Sequence, residues 1–391
     1  MSKIEEIYSS LCLFTVTRAV LNTPVVKAFM EYCEEENKKE KLKKYGAFVS
    51  CVYENGGVLS ECIKKALFEN ENVYVKSISK NEKISERIES SLNFELDTLS
   101  ALASLSSDSF LLDMKVTSKI PEYDTEKLDV KKAYSERLGE IHRHGYGIFA
   151  SYCMFSSTDD GEIIPIESAD KTTIDNFIGY GEERQKVLDN TVAFLENRPA
   201  ANILLYGDAG TGKSSTVKAV ANHLFESGIR LIEIRKTQLL LLPKIMAQIA
   251  KNPLKFIIFI DDLSFNKNDD NFSMLKATLE GSASVRAKNA VIYATSNRRH
   301  IIKESFSDRE GSDIHRNDTI QETLSLSERF GLTVLFGKPD KKLYLDIVHE
   351  LADRHGIEKD RAQMDIEAEA FALRRGYRSA RCAEQYIDSL L

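Results

Sequence analysis

The chain has 391 residues, 42% of them apolar and 29% charged, with a formal net charge of −7. That length exceeds one ordinary domain and predicts two or three, each with enough apolar material for a core. The acidic balance argues against holding nucleic acid by charge alone, and no stretch approaches the roughly 20 apolar residues of a membrane span.

In chain order, the first zone runs from Met1 to Glu167 and reads as a mostly helical N-terminal domain over residues 1–167. Helical spacing of apolar residues marks Ile7 to Leu21, Val25 to Lys43, Leu59 to Phe68, Ile88 to Leu105 and Leu128 to His142. Leu92, Leu96, Leu99 and Leu102 form the clearest stripe. Breaks are expected at Asn22-Thr23-Pro24, at Glu54-Asn55-Gly56-Gly57 and around Ser106 to Ser109. The Lys- and Glu-rich run Glu34 to Lys44 reads as a solvated face, and His142 and His144 as surface histidines. The six cysteines are scattered, with no CxxC pair and no histidine at ligand spacing. Free thiols in a reducing compartment are expected, rather than a disulfide framework or a zinc site. MSKIEEIYSS carries acids where a signal peptide needs a positive flank and a long apolar run, which points to the cytoplasm.

Ser156 to Gly161 (SSTDDG) reads as a turn-rich linker. Beyond it, five short apolar runs alternate with helical stretches: Asn202 to Tyr206, Leu231 to Ile234, Phe256 to Ile260, Ala290 to Thr295 and Leu332 to Phe336. Runs of this length predict an α/β core over 168–337, with a five-stranded parallel sheet covered on both faces. From Lys338 the pattern is again helical, predicting a small helical subdomain over 338–391.

Gly207-Asp208-Ala209-Gly210-Thr211-Gly212-Lys213-Ser214 fits G-x-x-x-x-G-K-[ST] at every fixed position, after a strand and before a helix. Glycines there let successive backbone N–H groups turn toward one phosphate, and the helix N-terminus adds its positive end. Lys213 is expected to reach the β- and γ-phosphates of ATP, with the Ser214 hydroxyl on Mg²⁺. About fifty residues on, FIIFI ends in Asp261-Asp262. Carboxylates there stand at the sheet's carboxyl edge, where ligands of open α/β sheets bind. Asp261 is expected in the magnesium shell and Asp262 as the group that polarises attacking water.

The next strand delivers Asn297, which can orient water or sense phosphate, or serve as a turn residue. Arg298 and Arg299 read either as a subunit contact or as a solvated loop. From spacing alone Arg329, in SLSERFG, reads as a helix C-terminal arginine meeting the dipole. The alternative is a finger offered to a neighbouring subunit's γ-phosphate, worth on the order of 10³ or more in rate. Arg378 and Arg381, at the start of the last helix, either reach back to the nucleotide or lie on the surface.

The ordered set GDAGTGKSS, FIIFIDDLSF, YATSNRRH, SLSERFG and GYRSAR resembles AAA+ ATPases, over somewhat more than half the chain from Ile164. More narrowly it resembles a bacterial group of AAA+ proteins of unknown function marked by DDLSF and ATSNRRH. The resemblance extends the phosphate loop to Ser215 and implicates Ile178 and Tyr180 in adenine binding. It also implies Asn297 as sensor 1, Arg329 as the finger and Arg378 as sensor 2, with Arg381 in reserve. Two departures stand out. Asp262 replaces the usual glutamate, one methylene longer, so water activation is expected to be weaker. Arg235 to Pro243 lacks the aromatic-apolar-glycine loop that grips polypeptides, which weakens a threading role; its TQLLLLP reads as the start of a buried helix.

The expectation is therefore an ATP- and Mg²⁺-dependent ATPase whose lid motion acts on an unknown protein partner. An in-trans finger implies a homo-oligomer. A nucleic-acid partner stays open, with nothing indicating one. The rival readings are an ATP-binding switch with little turnover and a P-loop small-molecule kinase, the latter disfavoured by the spacing of Asn297 and Arg329.

Overall fold

The computed structural model describes residues 2–116, 119–264, 270–280, 287–297 and 328–391. Arg298, Arg299, His300 and Ser325 to Ser327 lie outside the described residues. The chain divides into two compact units, Met1–Ser151 and Tyr152–Leu391. No helix among the described residues is long and apolar enough to cross a membrane.

The first unit is helical. Its elements are α1 (Lys3–Cys12), α2 (Pro24–Glu34), α3 (Lys38–Glu54), α4 (Leu59–Phe68), α5 (Val73–Ser79), α6 (Glu86–Ala103), α7 (Ser107–Met114), α8 (Val130–Gly139) and α9 (Ile141–His144). Leu92, Leu96, Leu99 and Leu102 of α6 are buried as their spacing predicts. The core is aromatic: Phe110 lies 5.0 Å from Tyr32, 5.0 Å from Tyr45 and 5.4 Å from Phe48 between ring centroids. Two expected helices are cut. Ile7 to Leu21 ends at Cys12, because Thr15, Val16 and Thr17 turn their N–H groups onto the buried Glu95 carboxylate at 2.6, 2.8 and 2.6 Å. Val25 to Lys43 breaks before Asn37, whose side chain caps α3 by accepting from Lys39 N and Glu40 N. The break expected around Ser106 to Ser109 falls slightly earlier, at Ser104 to Ser106, and Ser107 already begins α7.

The second unit is built on a seven-stranded sheet: β1 (Met154–Ser157), β2 (Ile163–Pro165), β3 (Ile203–Gly207), β4 (Ile229–Ile234), β5 (Lys255–Ile260), β6 (Ala290–Ser296) and β7 (Leu332–Phe336). Their order is β2-β1-β4-β5-β6-β3-β7. All neighbours pair in parallel except β2, which runs antiparallel to β1. All five expected strands are present, so the five-stranded count is corrected to seven. The segment read as a linker is the β1–β2 hairpin, closed by Gly161 N donating to Thr158 O at 3.0 Å. The domain boundary accordingly falls at 151/152 rather than at 167. The hairpin strands are four and three residues long, too short to show a period, and the second ends in a proline.

FIIFI is fully buried from Phe256 to Ile260, as two-sided cover of a parallel sheet requires. Each such side chain contributes about 1.5–3 kcal/mol on leaving water. One face carries α10 (Gly181–Leu195) and α11 (Lys213–His223), whose Val187, Phe194, Val217 and Val220 pack on Leu205, Ile257, Phe259 and Tyr293. TQLLLLP forms a 3₁₀ turn (Lys236–Leu241) leading into α12 (Leu242–Ile249); Leu239 and Leu242 are buried while Leu240 is exposed. α13 (Asp270–Glu280) follows β5. At the C-terminus, α14 (Lys341–Arg354), α15 (Arg361–Arg375) and α16 (Ala380–Asp388) share a core of their own around Tyr344, Val348, Ala368 and Tyr386.

Candidate functional site

Parallel pairing brings the carboxyl ends of β5, β6 and β3 to one edge, with β6 in the middle. Ile260 pairs with Ala294, and Leu205 with Thr295. Whatever follows these strands must meet there.

The loop from Gly207 to Gly212 leaves β3 and enters α11. Three of its glycines have positive φ: Gly207 at 139°, Gly210 at 75° and Gly212 at 87°. Gly207 is the tightest. A Cβ there would sit 2.0 Å from Phe336 O on β7, because Asp208 N donates to that same carbonyl at 3.2 Å. Inside the loop Thr211 Oγ1 donates to Asp208 O at 2.9 Å. Lys213 is 6% exposed; its Nζ donates to Gly207 O at 3.0 Å, Asp208 O at 2.7 Å and Asn297 Oδ1 at 3.2 Å. Burial pulls its pKa down, partly countered by Asp208, Asp261 and Asp262. The ammonium thus sits at the mouth of the loop and reaches the edge of β6.

The acids lie opposite. Ser214 Oγ donates to Asp261 Oδ1 at 2.6 Å, and Thr295 Oγ1 donates to the same oxygen. Asp262 adopts φ 48°, in the left-handed region, at a cost of about 1–2 kcal/mol. Two hydrogen bonds from its N–H hold that turn, to Thr295 Oγ1 at 2.9 Å and to Asp261 Oδ1 at 3.1 Å. The turn aims the Asp262 side chain at Asn297, whose Nδ2 donates to Asp262 Oδ1 at 3.0 Å. Asn297 therefore bridges Lys213 and Asp262. A cavity of about 270 Å³ is lined by the loop from Ala209 to Ser215 together with Asp261, Asp262, Thr295, Asn297 and Arg381. A hydroxyl and a carboxylate oxygen 2.6 Å apart, beside further solvent-facing carboxylate, suit a hard divalent cation shared with phosphate oxygens.

A second cavity, of about 130 Å³, opens on the far side of Gly210, Gly212 and Ser215. Its other walls are Asn176, Phe177, Ile178 and Arg184, with Ile347 and Leu351 of α14 and Ala380, Arg381 and Glu384 of α16. Ile178 is thus in the wall, whereas Tyr180 is not. Tyr180 is 7% exposed, stacks near Phe336 at 5.4 Å and donates its hydroxyl to Gly337 O at 2.7 Å. It is a core residue that anchors the start of α10. The aromatic wall is Phe177, with the Arg184 guanidinium 4.5 Å above its ring.

The last helix meets the phosphate loop directly. Arg381 N donates to Gly210 O at 3.4 Å, and Arg381 lines both cavities. Arg378 instead forms a two-pronged pair with Glu369 of α15, at 2.8 and 2.7 Å, beside a third cavity shared with Asp208 and Lys338. Arg329 is elsewhere. It shares a cavity with Ala200, Ala201 and Asn202, ahead of β3, and with Ala290 and Val291 at the start of β6. That is the amino edge of the sheet, about 17 Å of strand from the phosphate loop for a five-residue strand. Thr295, Phe177, Arg184 and Glu384 were not singled out from sequence. Thr295, inside the YATSN string, and Phe177, next to Ile178 in the loop that the resemblance sets against adenine, were within reach; Arg184 and Glu384 carry no local signal.

A family model described as "Protein of unknown function (DUF815)" matches residues 150–391, more than half of the chain. Among solved structures, the chain is similar to the Thermotoga maritima RuvB Holliday junction branch migration motor at 17% identity, covering 56% of this chain and 63% of that one, with a TM-score of 0.37. A point mutant of that motor gives 16% identity over 56% and 63%, with a TM-score of 0.38. The chain thus spans less than two thirds of the length of these proteins. No curated protein matches it.

Proposed function

This chain belongs to the DUF815 family of proteins of unknown function, and we propose that its second unit is an AAA+ P-loop module and that the chain works as a Mg²⁺-dependent ATPase coupling nucleotide state to a partner. One observation carries the reading: Lys213 and Ser214 at the start of α11, and Asp261, Asp262 and Asn297 after β5 and β6, form one connected hydrogen-bonded set. The loop amides and Lys213 would bind the triphosphate of ATP, and Ser214 and Asp261 would hold magnesium. When bound, that ion neutralises charge between the β- and γ-phosphates. Asp262, oriented by its left-handed turn and by Asn297, would take the proton of attacking water. Phe177 and Ile178 would flank the base, and Arg381 is better supported than Arg378 as the lid arginine, since Arg378 is committed to Glu369.

Arg329 cannot serve its own chain's nucleotide from the opposite sheet edge, which supports a homo-oligomer with a finger offered in trans. The first unit, a separately packed helical body, would hold the protein partner.

A specific observation favours a second reading, an ATP-binding switch with little turnover. The Asp262 carboxylate is short and is engaged by Asn297 at 3.0 Å. A phosphate-release assay on the purified full chain separates the two. The enzyme reading expects Mg²⁺-dependent release that Asp262→Asn lowers by about 10²–10⁴ while ATP binding persists. Binding without measurable release by the native chain, alone or with its partner, establishes the switch.

A further inference from the structure

The second cavity is walled by apolar side chains interspersed with Asn176, Arg184, Ser215, Arg381 and Glu384, and two of these already make hydrogen bonds. Asn176 Oδ1 accepts from Thr173 N at 2.8 Å and from Thr173 Oγ1 at 2.9 Å. Arg184 points its Nη atoms at the carbonyls of Gly179 and Ile178. Ser215 and Arg381 stand at the phosphate-loop end, with Gly210 and Gly212. That leaves Glu384. Among the described residues no hydrogen bond or ion pair engages its carboxyl, and it lines the cavity one turn along α16 from Arg381. At 1.5 Å rise per residue the two are about 4.5 Å apart along the helix axis. The helix thus runs beside the nucleotide's path, with a cation toward the phosphates and a free acceptor toward the base.

We infer that Glu384 reads the base, its carboxyl accepting a hydrogen bond from the exocyclic 6-amino group of adenine. This rests on the ATP reading above and gives it a specificity residue. The apolar walls Phe177, Ile178, Ile347 and Leu351 hold any flat purine without distinguishing one from another. Selectivity must therefore come from a polar edge contact, and a carboxyl oxygen accepts from a 6-amino group whether or not its partner oxygen carries a proton. A 6-oxo purine places an acceptor against an acceptor, and an unsubstituted purine leaves the carboxyl unpaired. Partial burial and the Asp388 charge raise the pKa of the carboxyl, against a smaller lowering by Arg381, although the residue is exposed; a bound base would remove more of its water, so an unpaired state there is unfavourable.

The test is competition against a fluorescent ribose-labelled ADP on the full-length chain with Mg²⁺, using ATP, purine riboside triphosphate and GTP. The native chain should favour ATP over purine riboside triphosphate by about tenfold, the worth of one such hydrogen bond. Glu384→Ala should bring that ratio near one by weakening ATP alone. Glu384→Gln, whose amide oxygen still accepts, should keep most of it. A ratio unchanged in Glu384→Ala, or a native chain that binds all three alike or prefers GTP, overturns the assignment. Lys213→Ala tests the underlying reading separately, since it should abolish binding of every competitor. A native chain that binds none of them overturns that reading and the assignment with it.

Discussion

Replacing Gly207 with alanine tests the whole geometry at its tightest point. The new Cβ would lie 2.0 Å from Phe336 O and 2.6 Å from Phe336 C, both backbone atoms that cannot rotate away. The gap must open by about 1 Å to reach the 3.0 Å below which real Cβ contacts essentially never fall. Opening it breaks the bond from Asp208 N to Phe336 O, worth about 0.5–1.5 kcal/mol. Holding an alanine at φ 139° adds about 1–3 kcal/mol. The sum is about 1.5–4.5 kcal/mol, and the strain falls where β3 hands over to the phosphate loop. Gly181→Ala is the matched control in the same unit: nothing lies within 4 Å of its Cβ position and its φ is not positive. Urea titration of both variants should show Gly207→Ala losing about 1 M or more in midpoint, with Gly181→Ala at or above the native value. Nucleotide binding should fall for Gly207→Ala alone. Equal midpoints for the two variants, with ATP binding intact in both, would refute the close approach of β3 and β7.

Arg329→Ala should spare ATP binding and cut turnover by about 10³; mixing it with Lys213→Ala subunits should restore part of the activity, and failure to restore it counts against action in trans. Tyr180→Phe should cost about 1 kcal/mol of stability through the lost bond to Gly337 O and leave ATP affinity unchanged, whereas Phe177→Ala should weaken ATP in an equilibrium binding assay. Burial pushes the Glu95 pKa up, but hydrogen bonds from Thr17, Thr15 and Val16 outweigh it and the net shift is downward. A depressed folded pKa contributes stability above the unfolded value near 4.3, which is lost as pH falls through the folded pKa. Thermal melts from pH 6 to pH 3 should therefore show a steeper acid loss for the native chain than for Glu95→Gln.

Much of the site was legible without coordinates because its chemistry is local. A phosphate loop needs glycines at fixed spacing, then a lysine and a hydroxyl at a helix start, and Gly207 to Ser214 supply all of them in one run. The FIIFI strand declares itself by being apolar on both faces, and its carboxyl end fixes where Asp261 and Asp262 must stand. Asn297 follows the next apolar run in the same way, though that its strand lies between the other two came from the sheet order.

Only the tertiary structure decided the rest. The β1–β2 hairpin is too short for periodicity to speak, and what makes it sheet is the pairing of β1 with β4, where Met154 meets Leu231, 77 residues on. Tyr180 and Phe177 are three residues apart with the same kind of ring; which one faces the cavity depends on Phe336 and Gly337 claiming Tyr180. Arg378 and Arg381 are three residues apart, before and just inside the start of α16, and Glu369 on another helix takes the first. Glu384 carries no motif at all. It becomes a candidate only because α16 lays it along the wall of a cavity formed by distant segments, where it supplies the carboxyl, and such a property belongs to no stretch of sequence.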